Sequence, residues 1–261
     1  MRTALTIAGS DSGGGAGIQA DLKTFAAHGV YGTSALTAVT AQNTLGVTAW
    51  QALPADLVTA QIEAVDADFE LGAIKVGMLA NAAIVEAVAA TIVELELANV
   101  VVDPVMIAKG GDRLLEIDAV DAIRRELLPH TRIVTPNVPE AEALTGMRIA
   151  SVDDMRAAAQ RILSLGPRVV LVKGGHLDGA ESVDVAVTTE GSFELRRPRQ
   201  DTTSTHGTGC TLSSSIAANL ALGMDVRAAL ERAREYLDGA IRNAPGLGRG
   251  HGPLGHFWRV Y

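Results

Sequence analysis

Six short apolar runs, each closing on a polar residue or a glycine, constrain this chain more than any other feature. They are TALTIA (3–8), SALTAVTAQ (34–42), LGAIKVGM (71–78), NVVVDPV (99–105), RIVTPNVPE (132–140) and RVVLVKGGH (168–176). Helical patterns separate them: Ile18, Leu22 and Phe25 on one face, then segments near 55–68, 81–97, 117–128 and 151–164. Strands that alternate with helices imply a mostly parallel sheet, right-handed crossovers and helices on both faces. The expected class is therefore α/β. The polar ends matter as much as the runs. Gly9, Gln42, Met78, Asp103, Asn137 and Lys173 fall at or just past the C-terminal ends of the expected strands. In open α/β sheets that edge is where ligands bind.

Composition agrees with this architecture. Hydrophobic residues make up 48% of 261 residues, but aromatics only 3%. The core must then be built from Ala, Val, Ile and Leu, which suits a sheet between helices. No linker, repeat or low-complexity segment divides the chain, so one domain over 1–261 is expected. Residues 183–189 and 192–197 read as a hairpin turning at Glu190-Gly191. The net charge of −8 argues against a nucleic-acid-binding surface. A single cysteine forms no internal disulfide, and the apolar stretch 82–93 carries Glu86 and is too short to span a bilayer. A cytoplasmic protein with no membrane partner is expected.

The stretch TSTHGTGCTLSSSIAANLALG (203–223) carries the clearest chemical signal. Gly207 and Gly209 precede a helical pattern in which Leu212, Ile216 and Leu220 share a face and Gly223 is the stop. The first amides of a helix lack intrahelical partners and sit in positive potential. Glycines there let an anion approach the backbone. Taken alone, the pattern fits a tight turn starting a buried helix equally well. The glycine-rich loop GSDSGGGAG (9–17) follows a strand but is neither a P-loop nor a dinucleotide fingerprint. It is expected to let a small ligand rest on its backbone.

An anion site, a lysine and several carboxylates on one sheet edge suggest phosphoryl transfer, which needs charge neutralisation and alignment. Lys173 is the candidate phosphate contact. Asp103 and Glu140, with Asn137, are candidate Mg²⁺ ligands, although Asn137 and Glu140 also have capping-box spacing. Cys210, in the first turn of its helix, is expected to have a lowered thiol pKa. It could accept or steer the proton of an attacking hydroxyl or donate a weak hydrogen bond, while a small buried filler is the commonest fate of a free cysteine.

Six motifs in order carry a resemblance: AGSDSGGGAGIQADLKTF (8–25), TAVTAQNT (37–44), VVDPVMIAKGG (101–111), TPNVPEAEALTG (135–146), LVKGGH (171–176) and STHGTGCTLSSSIAANLALG (204–223). Together they resemble the hydroxymethylpyrimidine/phosphomethylpyrimidine kinases of thiamine biosynthesis. These belong to the ribokinase-like superfamily, so the resemblance implies a three-layer sandwich. It also implies two successive ATP- and Mg²⁺-dependent phosphorylations of 4-amino-5-hydroxymethyl-2-methylpyrimidine. By motif, Gln42 would read the aminopyrimidine edge, and Gly9, Asp21, Met78 and Val105 would complete its pocket. Asp103, Asn137 and Glu140 would organise Mg²⁺ and phosphates, and Lys173, Asn137 and Thr208 would contact ATP. Gly207, Thr208, Gly209 and Cys210 would form the anion hole. Residues 108–115 would be a flap, and a homodimer is implied, with the 183–197 hairpin one candidate contact. Cys210 stands where related sugar kinases have an aspartate base. It is expected to help the first phosphorylation and to matter little as a base in the second.

Overall fold

The structure, a computed structural model, describes residues 1–106, 117–175, 177 and 179–259. Its elements in chain order are β1 (Thr3–Ser10), α1 (Gly17–Ala27), β2 (Tyr31–Asn43), β3 (Gly46–Ala52), α2 (Ala55–Asp66), β4 (Leu71–Val76), α3 (Ala82–Glu94) and β5 (Val100–Val102). There follow α4 (Ile117–Ala122), β6 (Ile133–Val134), α5 (Val138–Thr145), α6 (Val152–Leu163), β7 (Val169–Val172), β8 (Glu181–Thr188), β9 (Gly191–Pro198), α7 (Thr208–Ala221) and α8 (Val226–Arg242). The nine strands form one sheet in the order β3-β2-β1-β4-β5-β6-β7-β8-β9. Strands β2, β1, β4, β5, β6 and β7 pair in parallel in that order, while β3, β8 and β9 add antiparallel edges. The hairpin expected at 183–197 is β8–β9.

Both faces of the parallel strands are covered. Alternate residues of β4 and β5 divide between them: Ile74, Val76, Val100 and Val102 pack on α2–α6, while Ala73 and Val101 pack on α1, α7 and α8. The second face is rich in alanine, with Ala217, Ala218 and Ala221 on α7 against Ala4 and Ala73. Small side chains let α7 lie close to the sheet. A Cβ added at Gly72 would stand 3.1 Å from that of Ala221. The scarcity of aromatics is thus spent on short helix–sheet distances.

Two expectations change. Strand β3 lies outside the expected runs: it carries no fully buried residue, and only Val47 and Ala52 at its two ends pack on the core. Its partner β2 holds it in place by antiparallel pairing. The helix expected over 117–128 is α-helical only to Ala122; a π turn (Ile123–Leu127) and a 3₁₀ turn (Leu128–His130) follow, the latter containing Pro129. Among the described residues, no helix is long and apolar enough to cross a membrane. The expected flap at 108–115 lies outside the described residues.

Candidate active site

Three strand ends and one helix N-terminus meet at the C-terminal edge of the sheet. Asp103 follows β5, Asn137 follows β6, and Lys173 follows β7; Asn137 and Lys173 extend their strands by one parallel bridge. Lys173 Nζ lies 2.6 Å from Asp103 Oδ1 and 3.9 Å from Glu140 Oε2. The spacing Asn137–Glu140 does form a capping box at the start of α5. The Glu140 amide donates to Asn137 Oδ1 at 2.9 Å, and the Asn137 amide donates to Glu140 Oε2 at 2.7 Å. This box fixes Glu140 so that its carboxylate faces Lys173.

Helix α7 arrives opposite these charges. Its N-cap, Gly207, has φ +80, and no side chain caps the helix. The first intrahelical bond runs from the Thr211 amide to Gly207 O, and the Thr208 amide donates back to Thr205 O at 3.4 Å, which leaves the amides of Gly209 and Cys210 as the ones without an intrahelical partner. Thr208 Oγ1 instead donates to Thr205 O at 2.6 Å. A Cβ placed on Gly209 would stand 2.9 Å from Asp103 Oδ2 and 3.3 Å from Lys173 Nζ, so only glycine lets the helix come this near. A cavity of about 750 Å³ joins Gln42, Asp103, Val105, Glu140, Lys173 and Cys210, and continues past Gly207, Thr208 and Gly209 toward α8.

The charges in this cavity are strongly coupled. Burial works against the Lys173 ammonium, but Asp103 and then Glu140 outweigh it and raise its pKa. Burial pushes Glu140 up to about 7; Lys173 opposes this, and the neighbouring Asp103 charge adds to it. Cys210 corrects an expectation. Its thiol is raised to about 11 rather than lowered, because desolvation and the charges of Asp21 and Asp103 exceed the help of Lys75 and the Gly17 amide. At neutral pH it is a thiol, and the helix dipole does not reverse that.

In the loop 9–17, Ala16 reaches the cavity wall, but several backbone groups are already engaged. Asp11 takes three of the loop's amides: Gly13, Gly15 and Ala16 donate to its carboxylate at 2.8, 3.0 and 2.8 Å. Burial would raise the Asp11 pKa, but the His206 hydrogen bond and these amides lower it. His206 Nε2 lies 2.8 Å from Asp11 Oδ2, which ties the first glycine loop to the start of α7. Asp11 and His206 are thus structural members of the site, as a lone histidine beside Cys210 most often is. The Asp-x-Gly pattern at 11–13 is a turn signature that points to the first of them.

The expected pyrimidine contacts separate. Gln42 and Val105 line the cavity. Gly9 and Met78 pack together, with a Cβ at Gly9 only 2.9 Å from Met78 Sδ. Asp21 does not reach the cavity. It is fully buried, and Lys75, Thr6 and Ser214 fill its carboxylate. Among the described residues, no group of three or more His, Cys, Asp or Glu side chains is arranged to hold a metal.

Known proteins match this sequence and fold. The family described as phosphomethylpyrimidine kinase matches residues 11–255. A hydroxymethylpyrimidine/phosphomethylpyrimidine kinase of Haemophilus influenzae is 48% identical over 261 residues, covering 98% of this chain and 97% of that protein. The chain is also 50% identical, over 97% of its length, to a thiamine biosynthesis bifunctional protein of Geobacter sulfurreducens, of which it covers 51%. Among solved structures, a Bacillus subtilis pyridoxal kinase in complex with ADP aligns over 100% of both chains with TM-score 0.93 and 40% identity. A phosphomethylpyrimidine kinase from Clostridium difficile aligns over 92% of this chain and 100% of that one, with TM-score 0.83 and 45% identity. With its ribokinase-like sheet and the family match over nearly its whole length, the chain belongs to the phosphomethylpyrimidine kinase family.

Proposed function

We propose that the chain transfers the γ-phosphoryl group of ATP to 4-amino-5-hydroxymethyl-2-methylpyrimidine and then to the resulting monophosphate. The carrying observation is the uncapped N-terminus of α7 facing Lys173 across one cavity, with Gln42 on its wall. The alcohol oxygen forms the new bond to the γ-phosphorus, while the bond to the β–γ bridging oxygen breaks and ADP leaves. Lys173 and the amides of Gly209 and Cys210 neutralise charge on the transferring group. Gln42 offers one acceptor and one donor, the complement of an amine beside a ring nitrogen. Asn137 and Thr208 line the nucleotide side.

Asp103 and Glu140 suit Mg²⁺, with Asn137 beside them. Two buried carboxylates share one lysine, with Asp103 Oδ1 at 2.6 Å and Glu140 Oε2 at 3.9 Å from its Nζ, an oxygen-rich pair of the kind a hard cation takes. When bound, Mg²⁺ would neutralise phosphate charge. Cys210 enters the reaction protonated. In the first step the proton of the alcohol leaves late in a loose transition state and passes to an oxygen of the transferring phosphoryl group, and in the second the attacking phosphate oxygen is already ionised, so a strong base is not required. The raised thiol pKa removes the ground for assigning Cys210 to the first step alone; it acts instead as part of the anion hole in both.

Purified protein with Mg-ATP and the alcohol, its monophosphate and pyridoxal in parallel tests this reading. Turnover of both pyrimidines supports it, and turnover of pyridoxal alone overturns it. Weak pyridoxal turnover would fit the shared fold with pyridoxal kinases. The protein is read as cytoplasmic and homodimeric. The exposed apolar side chains of the sheet edge, Tyr31, Val39, Leu45 and Trp50, lie on or beside β2–β3 rather than β8–β9. That moves the expected dimer contact to the opposite end of the sheet.

A further inference from the structure

Beneath this cavity lies a pair of charges with no part in the chemistry above. Lys75 on β4 and Asp21 on α1 both have fully buried side chains, and Nζ lies 2.8 Å from Oδ2. Strand alternation puts Lys75 on the face of Ala73, toward α7. Thr6 Oγ1 donates to Asp21 Oδ2 at 2.6 Å, and Ser214 Oγ donates to Oδ1 at 2.6 Å. One carboxylate thus joins β1, β4, α1 and α7. Ser214 stands one helical turn after Cys210 on the same face of α7. The ammonium lies against the backbone just past β4: a Cβ at Gly77 would come within 2.6 Å of Nζ.

Such a pair is weak evidence for stability. An apolar replacement of equal volume is often as stable, because desolvating two charges offsets their attraction. Its position is what sets it apart. The charges acting on the Cys210 thiol are Lys75, Asp21 and Asp103, with Lys173 also in range, and Lys75 outweighs Asp21. The Cys210 thiol thus stands within the field of the pair, one helical turn before the residue, Ser214, that Asp21 holds.

We infer that the Lys75–Asp21 pair is a positioning element of the phosphoryl-transfer site: Asp21 holds the first turns of α7 through Ser214, and Lys75 keeps a fixed positive charge behind the amides of Gly209 and Cys210. Its effect on turnover rests on the kinase reading. Its effect on local potential does not, and Cys210, the chain's single cysteine, reports that potential through its thiolate fraction.

The test combines Lys75→Met with Asp21→Asn, which neutralises both members and keeps an acceptor for Ser214. Alkylation of Cys210 by iodoacetamide at alkaline pH is expected to slow by about tenfold, the equivalent of one pKa unit. With the pyrimidine alcohol, kcat is expected to fall about tenfold or more while both KM values stay within about twofold. Ser214→Ala keeps the charges and cuts the anchor. It should lower kcat by about tenfold without changing the alkylation rate. A folded double variant with wild-type alkylation and turnover overturns the inference. Should the double variant not fold, Ser214→Ala decides alone, and wild-type kcat there overturns it. If the unaltered protein does not turn over pyrimidine, the alkylation rate still decides the charge.

Discussion

Gly209 stands where a helix backbone, a carboxylate and an ammonium converge, so the smallest possible substitution has a large expected effect. In Gly209→Ala the new methyl would press on Asp103 Oδ2 and Lys173 Nζ. Turnover should fall by about 100-fold, the scale of losing one transition-state donor, while the melting temperature moves little. Steady-state rates beside a thermal melt check this; a normal kcat would mean that the amides of α7 are not the anion site. Cys210→Ala separates two chemistries. A thiol held at about 11 is not a base at neutral pH. Both phosphorylations should therefore slow by a similar factor, about tenfold or less. A loss confined to the first half-reaction would return the base role to Cys210.

At the scale of elements, the site is two glycine loops locked together through Asp11 and His206. A Cβ on Gly207 would overlap Gly15 O at 1.8 Å, and its φ of +80 is costly for any other residue. Gly207→Ala should therefore lower stability by more than about 3 kcal/mol, measured by denaturant unfolding. Helix α7 is pinned from two further sides: Ser215 Oγ lies 2.8 Å from His28 Nε2, and Thr211 Oγ1 lies 3.0 Å from His256 Nε2. Burial depresses both histidines from 6.5 to about 4. Between those values the unfolded chain binds more protons, so their contribution is complete above about 6.5 and is lost as pH falls toward 4. Glu140 slopes the opposite way, since the fold holds its proton up to about 7. Comparing melting temperatures of the parent and His256→Gln across pH 4 to 7 isolates the histidine part: the variant should lose less on acidification.

These elements show what a sequence can and cannot disclose. Runs such as VVV at 100–102 are legible because both faces of a parallel strand are buried, and the polar residue that ends the run marks the ligand edge. Strand β3 is hidden because its middle residues, Thr48 to Gln51, are exposed and pairing with β2 defines it. Asp103, Lys173 and Glu140 were legible as a set because each follows or begins an element at one edge. Asp21 was misplaced for the converse reason. Its motif sits beside the site, but the side chain turns under α7, and depth is invisible to motif spacing. The thiol of Cys210 was misjudged because a helix N-terminus can be recognised from glycines, whereas the desolvation that outweighs it depends on packing.

For the whole molecule, the two ends of the sheet differ in what they leave uncovered. The β8–β9 end exposes Arg196, paired with Glu181 and Glu194, a surface already balanced in charge. The β2–β3 end exposes Val39, Leu45 and Trp50, and Gln42 lies on the same hairpin. Apolar side chains gathered on one edge favour a partner there, and a twofold contact between identical edges closes without leaving an edge free. Trp50→Glu should convert a dimer to a monomer in sedimentation equilibrium, whereas Arg196→Glu should leave the mass unchanged. Because the hairpin positions Gln42, the monomer should also bind the pyrimidine more weakly, raising its KM by about tenfold with KM for ATP little changed. A dimer that survives Trp50→Glu and dissociates with changes on β8–β9 would place the contact at the other end and free Gln42 from any dependence on assembly.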